Sequence, residues 1–251
     1  MKISVITVCY NSSSTIRDTF ESVLSQTYSD IDYIVIDGNS TDGTVSIIKE
    51  YEQKFNGRMR WVSEPDNGLY DAMNKGIKLA EGDIIGILNS DDVFFDCKSL
   101  EKVVSVYNNT NNFDAIYADL YYVSKNDTSN VIRKWITGRQ KKFKTGWHPA
   151  HPALYIKKSV YDAYGIFNLR YRLASDFEIM LRFIDRHKIT IVYLNEVLVK
   201  MRLGGKTNKN ICNIFIQNIE ILKAFNENKV YVNYLTYPIR RLIAKLLQYK
   251  K

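Results

Sequence analysis

Residues 84–92 read IIGILNSDD: an apolar run, Ile84–Leu88, broken at once by Asn89-Ser90-Asp91-Asp92. A short apolar run bounded by turn residues is the mark of a buried strand, and the polar tail shows where the strand emerges. The same pattern stands upstream. Ile3–Val8 leads into Tyr10–Asn11, Tyr33–Ile36 into DGNSTDGT (37–44), and Met59–Ser63 into EPDNG (64–68). Between these runs lie segments with apolar residues at helical spacing. They are Ile16, Phe20, Val23 and Leu24 behind a Ser12–Ser14 cap, then Val45, Ile48 and Tyr51, then Ala72, Met73 and Ile77 within Leu69–Ala80. Strands alternating with such helices predict βαβ units: an α/β fold with a mostly parallel twisted sheet flanked by helices and right-handed crossovers. Ligands of such sheets sit beyond the carboxyl ends of the strands, so the four polar clusters should share one crevice.

The second half is less regular. Ala115–Asp119, Tyr121–Val123 and Val131–Trp135 read as short strands with a hairpin around 125–130. Residues 145–156 form a loop entering a strand, Ser175–His187 an amphipathic helix, and Ile189–Leu194 a strand. C-terminal helices are expected over Ile211–Asn226 and Pro238–Lys250.

The chain has 251 residues, 45% of them hydrophobic, enough for one large core. Cys9, Cys97 and Cys212 are far apart, which argues against a disulfide framework and a zinc site. The apolar run at the N-terminus is too short for a signal peptide core or a membrane span, so a cytoplasmic protein is expected. The net charge is +8, and residues 201–251 hold ten Lys or Arg against two acids, so the whole excess lies in the tail. Such asymmetry points to a partner for the tail.

The chemistry starts at Asp91–Asp92. Adjacent carboxylates repel unless a cation neutralises them, and hard oxygen ligands suit Mg²⁺ or Mn²⁺ with substrate phosphates completing the shell. An Asx turn or helix cap is the bland alternative. Asp37, directly after YIVI, can accept a hydrogen bond from a nucleobase or ribose, or merely fold the turn before Gly38. Tyr10 can stack on a base. Asp71 and Lys75 lie four apart on one helix face, either as a solvated ion pair or with Lys75 facing a diphosphate and Asp71 holding it.

VITVCYN, VIDGNSTDGT, EPDNGLYDAMNKG and LNSDD, in this order and spacing, resemble the family 2 glycosyltransferases of the GT-A fold, those building bacterial surface polysaccharides most closely. The resemblance is strong over residues 3 to about 95. It continues more weakly through HPAHPALYIKKSVYDAYGIFN (148–168) and ASDFEIMLRF (174–183). It implies a nucleotide-diphospho-sugar transferase fold, with a catalytic domain over 1–205. That domain would have a nucleotide-sugar half (1–95) and an acceptor-side half (96–205), followed by a basic helical extension (206–251). Donor contacts are implied at Thr7, Tyr10, Asn11, Asp37, Asp71, Lys75 and Asp91, and the divalent cation at Asp92. Ser90-Asp91-Asp92 departs from a strict Asp-any-Asp pattern. Family members often carry Glu-Asp at the start of a helix as the catalytic base. Here Ser175-Asp176 stands there, so Asp176 is the candidate and the preceding acid is lost. An acid stabilised by the helix dipole is the plainer account of Asp176. The resemblance also implies inversion at the anomeric carbon and a UDP-sugar donor.

Trp147, His148 and His151, in a proline-stiffened loop, are acceptor-side candidates, the acceptor being a glycan or a lipid-linked hydroxyl. In the tail, Ile239, Leu242, Ile243, Leu246 and Leu247 form an apolar stripe beside Arg240, Arg241, Lys245, Lys250 and Lys251. A basic amphipathic helix over 238–251 fits an anionic membrane surface on the inner face of the plasma membrane, or packs on the core with a solvated basic face. No nucleic-acid motif accompanies the charge. The rival functions are a sugar nucleotidyltransferase, which would carry a Gly-rich phosphate loop after the first strand, and a non-catalytic nucleotide-sugar-binding module.

Overall fold

A computed structural model describes residues 1–204 and 211–248. The sheet runs β3 (Met59–Ser63), β2 (Ile31–Asp37), β1 (Ile3–Cys9), β4 (Ile84–Ile87), β8 (Leu154–Lys157), β6 (Ala115–Val123), β9 (Ile191–Arg202), β5 (Val93–Phe94), with β7 (Val131–Trp135) paired to β6. β1–β4, β6 and β9 point one way, while β5, β7 and β8 point the other. Every residue of β1 and β2 is buried, and alternate residues serve opposite faces, as the pleat dictates. Ile6, Val8, Ile34 and Ile36 join one core with α3 (Leu69–Leu79), α6 (Ser175–Met180) and α7 (Ile211–Glu227). Ile3, Val5, Tyr33 and Val35 join the other with α1 (Ile16–Leu24), α2 (Thr44–Lys54) and α4 (Ser99–Asn109). Gly76 lets α3 approach β1, since a Cβ there would stand 2.4 Å from Ile6 Cγ2.

Several elements differ from expectation. Residues 115–123 form one strand, because Ala118 and Leu120 are buried and nothing solvates a break. β9 continues to Arg202 instead of stopping at Leu194; its register against β6 shifts around Asn195–Glu196, which lets two exposed polar residues pass without ending the strand. β5, α4 and α5 (Lys158–Tyr164) join the predicted set. α6 runs on into a π-helical turn over Leu181–Arg186.

The C-terminal segment expected as an extension shares the main core through α7, with Ile221, Ala224 and Phe225 fully buried. The 205/206 boundary, Lys206, Lys209, Lys250 and Lys251 lie outside the described residues. α8 (Thr236–Leu247) packs with Tyr237, Arg241 and Ala244 toward the body. Its backbone lies against Gly146, where a Cβ would come within 3.0 Å of Arg241 Cα. Ile239, Leu242, Ile243 and Leu246 are each more than half exposed, so the apolar stripe faces away from the core. No described helix is long and apolar enough to cross a membrane.

Candidate active site

The strand-end clusters do meet. Asn11, with φ of 51°, donates its N–H to Ser40 Oγ at 2.8 Å and accepts from Thr41 N–H at 2.9 Å. Ser12 shares a 2.9 Å hydroxyl bond with Ser90, and Thr15 Oγ1 donates to the Ser90 carbonyl. The loops after β1, β2 and β4 thus form one laced rim. Asp42 accepts from Ser13 N–H and from Thr44, and these bonds hold its carboxyl well below the usual range. Tyr10 projects from the rim, 60% exposed, with its ring beside Gly38 and Asp66.

Asp37 is fully buried and folds its own loop: Ser40 N–H and Ser63 Oγ donate to Oδ2 at 2.9 and 2.7 Å, and Ser40 Oγ donates to Oδ1. Thr7 does not reach the crevice. It sits inside β1, fully buried, and Tyr33 Oη donates to its hydroxyl at 2.9 Å.

Asp91 and Asp92 differ in environment. Asp92 is fully buried; its Oδ2 accepts from Asn89 Nδ2 at 2.9 Å and its Oδ1 from Arg202 N–H at 3.2 Å. Asp91 is partly exposed, and Arg202 Nη1 donates to its carbonyl at 2.8 Å. Burial raises both carboxyls above their usual range, Asp92 the more, because the Asp91 charge adds to its burial. Arg202 itself is buried and pairs with Asp18. Asn89 Oδ1 is buried with no hydrogen-bond partner among the described residues. Two crowded carboxylates and an unused amide oxygen suit a hard divalent cation that draws its other ligands from water and a substrate's phosphates. No cluster of three or more His, Cys, Asp or Glu suited to a metal exists among the described residues.

α3 plays a different part from the one expected. Lys75 pairs with Glu64 at 2.7 Å and donates to the Pro65 carbonyl, while Asp71 accepts from Asn67 N–H. The two do not hold each other, because the 64–67 loop supplies a nearer partner for each. Asn74 is buried and clamps Phe167, donating to its carbonyl at 2.9 Å and accepting from its N–H at 2.8 Å. Tyr70 stacks on Phe167 and donates to Asp176 Oδ1 at 3.1 Å. Burial and the Asp176 charge raise the Tyr70 phenol well above its usual range, so it remains a donor. The LYDAMNKG motif is therefore a clasp between the two halves.

Asp176 opens α6 and is half-buried. Its Oδ1 is bound by Tyr70 and Phe177 N–H, while Oδ2 has no hydrogen-bond partner among the described residues. The segment leading to it is held by Glu220 of α7, which accepts from three successive N–H groups, those of Arg172, Leu173 and Ala174, at 2.8–2.9 Å. Asp176 lines a cavity of about 780 Å³ between β7, the 145–152 loop and α8.

Trp147, His148 and His151 all line this cavity. Trp147 is buried, donates to the Thr137 carbonyl and packs against Tyr117 and Phe143, so its ring shapes the wall instead of offering an open stacking face. Burial, reinforced by Arg241, lowers the His148 imidazole to about 4, leaving it neutral. Its Nδ1 lies 2.9 Å from the Pro149 carbonyl, which can only accept, so Nδ1 carries the proton and Nε2 is an acceptor. Burial also lowers His151. Arg202 joins the two parts of the site, because it holds the Asp91–Asp92 segment and also lines the cavity. Sequence reasoning missed Tyr70, Arg133, Trp135, Glu220 and the inward aim of Arg241. Each meets a partner outside its own element, Arg133 and Trp135 across the β6–β7 pair at Tyr122 and the others more than twenty residues away, which no local pattern encodes.

Residues 4–167 match the family described as Glycosyl transferase family 2. A PGL/p-HBAD biosynthesis glycosyltransferase of Mycobacterium bovis (strain BCG) is 25% identical over 224 residues, covering 86% of this chain and 83% of that one. An uncharacterized glycosyltransferase of Mycobacterium tuberculosis (strain H37Rv) is 31% identical over 182 residues, 72% of this chain and 68% of that one. Among solved structures, S. aureus TarS 1-349 in complex with UDP superposes with a TM-score of 0.68 at 17% identity, over 93% of this chain and 67% of that one. The mannosyltransferase PcManGT from Pyrobaculum calidifontis, in complex with GDP-Man and Mn²⁺, gives 0.67 at 15% identity, over 98% and 69%. The two structures share the fold at an identity too low to carry a substrate across. The family match over most of the chain, in keeping with the laced strand-end crevice and its adjacent carboxylates, places this chain as a glycosyltransferase belonging to glycosyl transferase family 2.

Proposed function

We propose that the chain moves a sugar, with inversion, from a nucleoside-diphosphate donor to a hydroxyl of a glycan or lipid-linked acceptor in surface-polysaccharide synthesis. A UDP-sugar is the favoured donor, and Mg²⁺ or Mn²⁺ is required. The observation that carries this is the pairing of two sites through Arg202: a crowded carboxylate pair at the donor rim and an acid with one open oxygen in the adjoining cavity.

In this reading the base rests on Tyr10 above the loop that Asp37 and Asn11 fold. Lys75, tied to the 64–65 turn, and Asp71 shape the diphosphate side. Asp92 would hold the cation, and Asp91 would contact the ribose or sugar of the donor. Bound there, the cation supplies positive charge against the leaving diphosphate. Asp176 Oδ2 takes the proton of the acceptor hydroxyl while Tyr70 and Phe177 N–H keep Oδ1 in place. The new C–O bond forms on the face opposite the leaving diphosphate, so the configuration inverts and a nucleoside diphosphate departs. The exposed stripe of α8, beside Arg240 and Lys245, faces an anionic membrane surface, consistent with a peripheral location on the cytoplasmic side. Binding to anionic vesicles that survives Leu242→Glu would remove that part.

A melting-temperature screen tests the donor half. Ligand at a hundred times its Kd stabilises by about 2.7 kcal/mol, which in a chain of this size is a rise of roughly 5–10 °C. UDP or a UDP-sugar is expected to give such a shift with Mn²⁺ and little with EDTA. A GDP-selective shift would reassign the nucleotide, and silence from every nucleotide would sink the donor reading and favour a binding module of another kind.

A further inference from the structure

The cavity around Asp176 is strongly cationic. Arg133 from β7 and Arg241 and Lys245 from α8 line it, as do Arg240 and Lys141, and Asp176 is the sole acid on its wall among the described residues. Arg241 is held in place by Asn218 Oδ1 at 2.8 Å and Gln217 Oε1 at 3.0 Å, so its charge is fixed but has no carboxylate partner among the described residues. Burial and the charges of Arg133 and Arg241 hold the Lys245 ammonium below its usual range. Gathering cations in a partly dry wall costs energy that an anion would repay. The apolar stripe meets the same cavity: Ile243 lines its wall and is more than half exposed beside Leu242 and Leu246.

We infer that this cavity is an acceptor seat for the phosphate of a lipid-linked acceptor: Arg133, Arg241 and Lys245 take the phosphate, and the apolar chain leaves along Ile243 and the outer face of α8. This inference rests on the transfer reading above and names its acceptor class. It gives the inward cations and the outward apolar stripe of one helix a single ligand, an amphiphile with an anionic head.

The test uses the full chain in EDTA, which keeps diphosphates from binding through a metal at the donor rim. Calorimetric titration compares geranyl diphosphate, geraniol and inorganic pyrophosphate. Geranyl diphosphate should bind at least tenfold more tightly than either of the others. Lys245→Gln and Arg241→Gln should each weaken it roughly tenfold, with the affinity for nucleoside diphosphate and Mn²⁺ unchanged. The Lys245 ammonium has no hydrogen-bond partner among the described residues, so that variant stands even if Arg241→Gln unfolds α8. Equal binding of geraniol would overturn the phosphate seat, and equal binding of pyrophosphate would overturn the lipid source. Indifference to both substitutions would place the ligand elsewhere. Donor stabilisation without prenyl diphosphate binding would sink this inference alone, and the reverse result would sink the transfer reading and with it the acceptor role, leaving only a prenyl diphosphate site.

Discussion

Asp92→Asn is expected to abolish sugar transfer and yet raise the melting temperature of the metal-free protein near neutral pH. Turnover should fall by about 10³ or more, because the variant loses the charge that holds the cation against the leaving diphosphate. Stability should move the other way. Asp92 is fully buried beside Asp91, and its carboxyl is raised well above the usual range. A raised acid binds its proton more tightly folded than unfolded. Its contribution therefore falls as pH rises from the ordinary carboxylate range through the raised folded value. Asparagine does not titrate, so the variant lacks that loss. It also fits: the Arg202 N–H still finds an oxygen, and Asn89 can turn its unused Oδ1 toward the new amide. A gain of about 1 kcal/mol would appear as ~2–4 °C. Melting curves in EDTA from pH 4.5 to 8 would show it as a gap between variant and wild type that widens with pH. A lower melting temperature would contradict the buried-charge account, and retained turnover would end the metal assignment.

Asp176→Asn carries the second large effect: kcat down by about 10²–10⁴ with donor affinity kept, since only the proton acceptor is removed. Asparagine still accepts from Tyr70 and Phe177 N–H through one oxygen, so the loss would be chemical and not structural. Glu220→Gln supplies the contrast. It touches no reacting atom in the proposed mechanism but disturbs the N–H bonds that hold 172–174. It should lower kcat about tenfold and the melting temperature as well, with the pH profile of turnover unshifted. Pre-steady-state assays with the selected donor would separate the two. If Asp176→Asn kept wild-type kcat, the base would have to be sought elsewhere on the cavity wall.

The first half of the fold was legible because each signal is local. A strand end such as Ile87–Asp92 carries its own boundary, and four of them in order fix both sheet and crevice. Asp91–Asp92 could be located this way, but its environment could not. Asp92 is bound by the N–H of Arg202, 110 residues on, and the partly exposed Asp91 is indistinguishable from it in sequence. Asp71 and Lys75 misled for the opposite reason: helical spacing placed them on one face, while an irregular loop supplied nearer partners. Thr7 was assigned by its place in a motif, and the pleat turned it inward. α4 escaped notice because its buried face is narrow, consisting of Ser99, Leu100 and Val103. The Asn195–Glu196 shift hid the length of β9, and with it Arg202.

Arg202 has a consequence for how the protein is made. It binds Asp18, the Asp91 carbonyl, the Lys125 carbonyl and, through its N–H, Asp92. During synthesis the β1–β4 block leaves the ribosome long before residue 202 does. Until then the carboxylate pair lacks the strand that covers it and the cation that steadies its backbone. The donor rim is thus translated well before β9 and finished only after it. A nascent chain cut short before β9 would carry every recognisable donor motif and still be unable to assemble the pair.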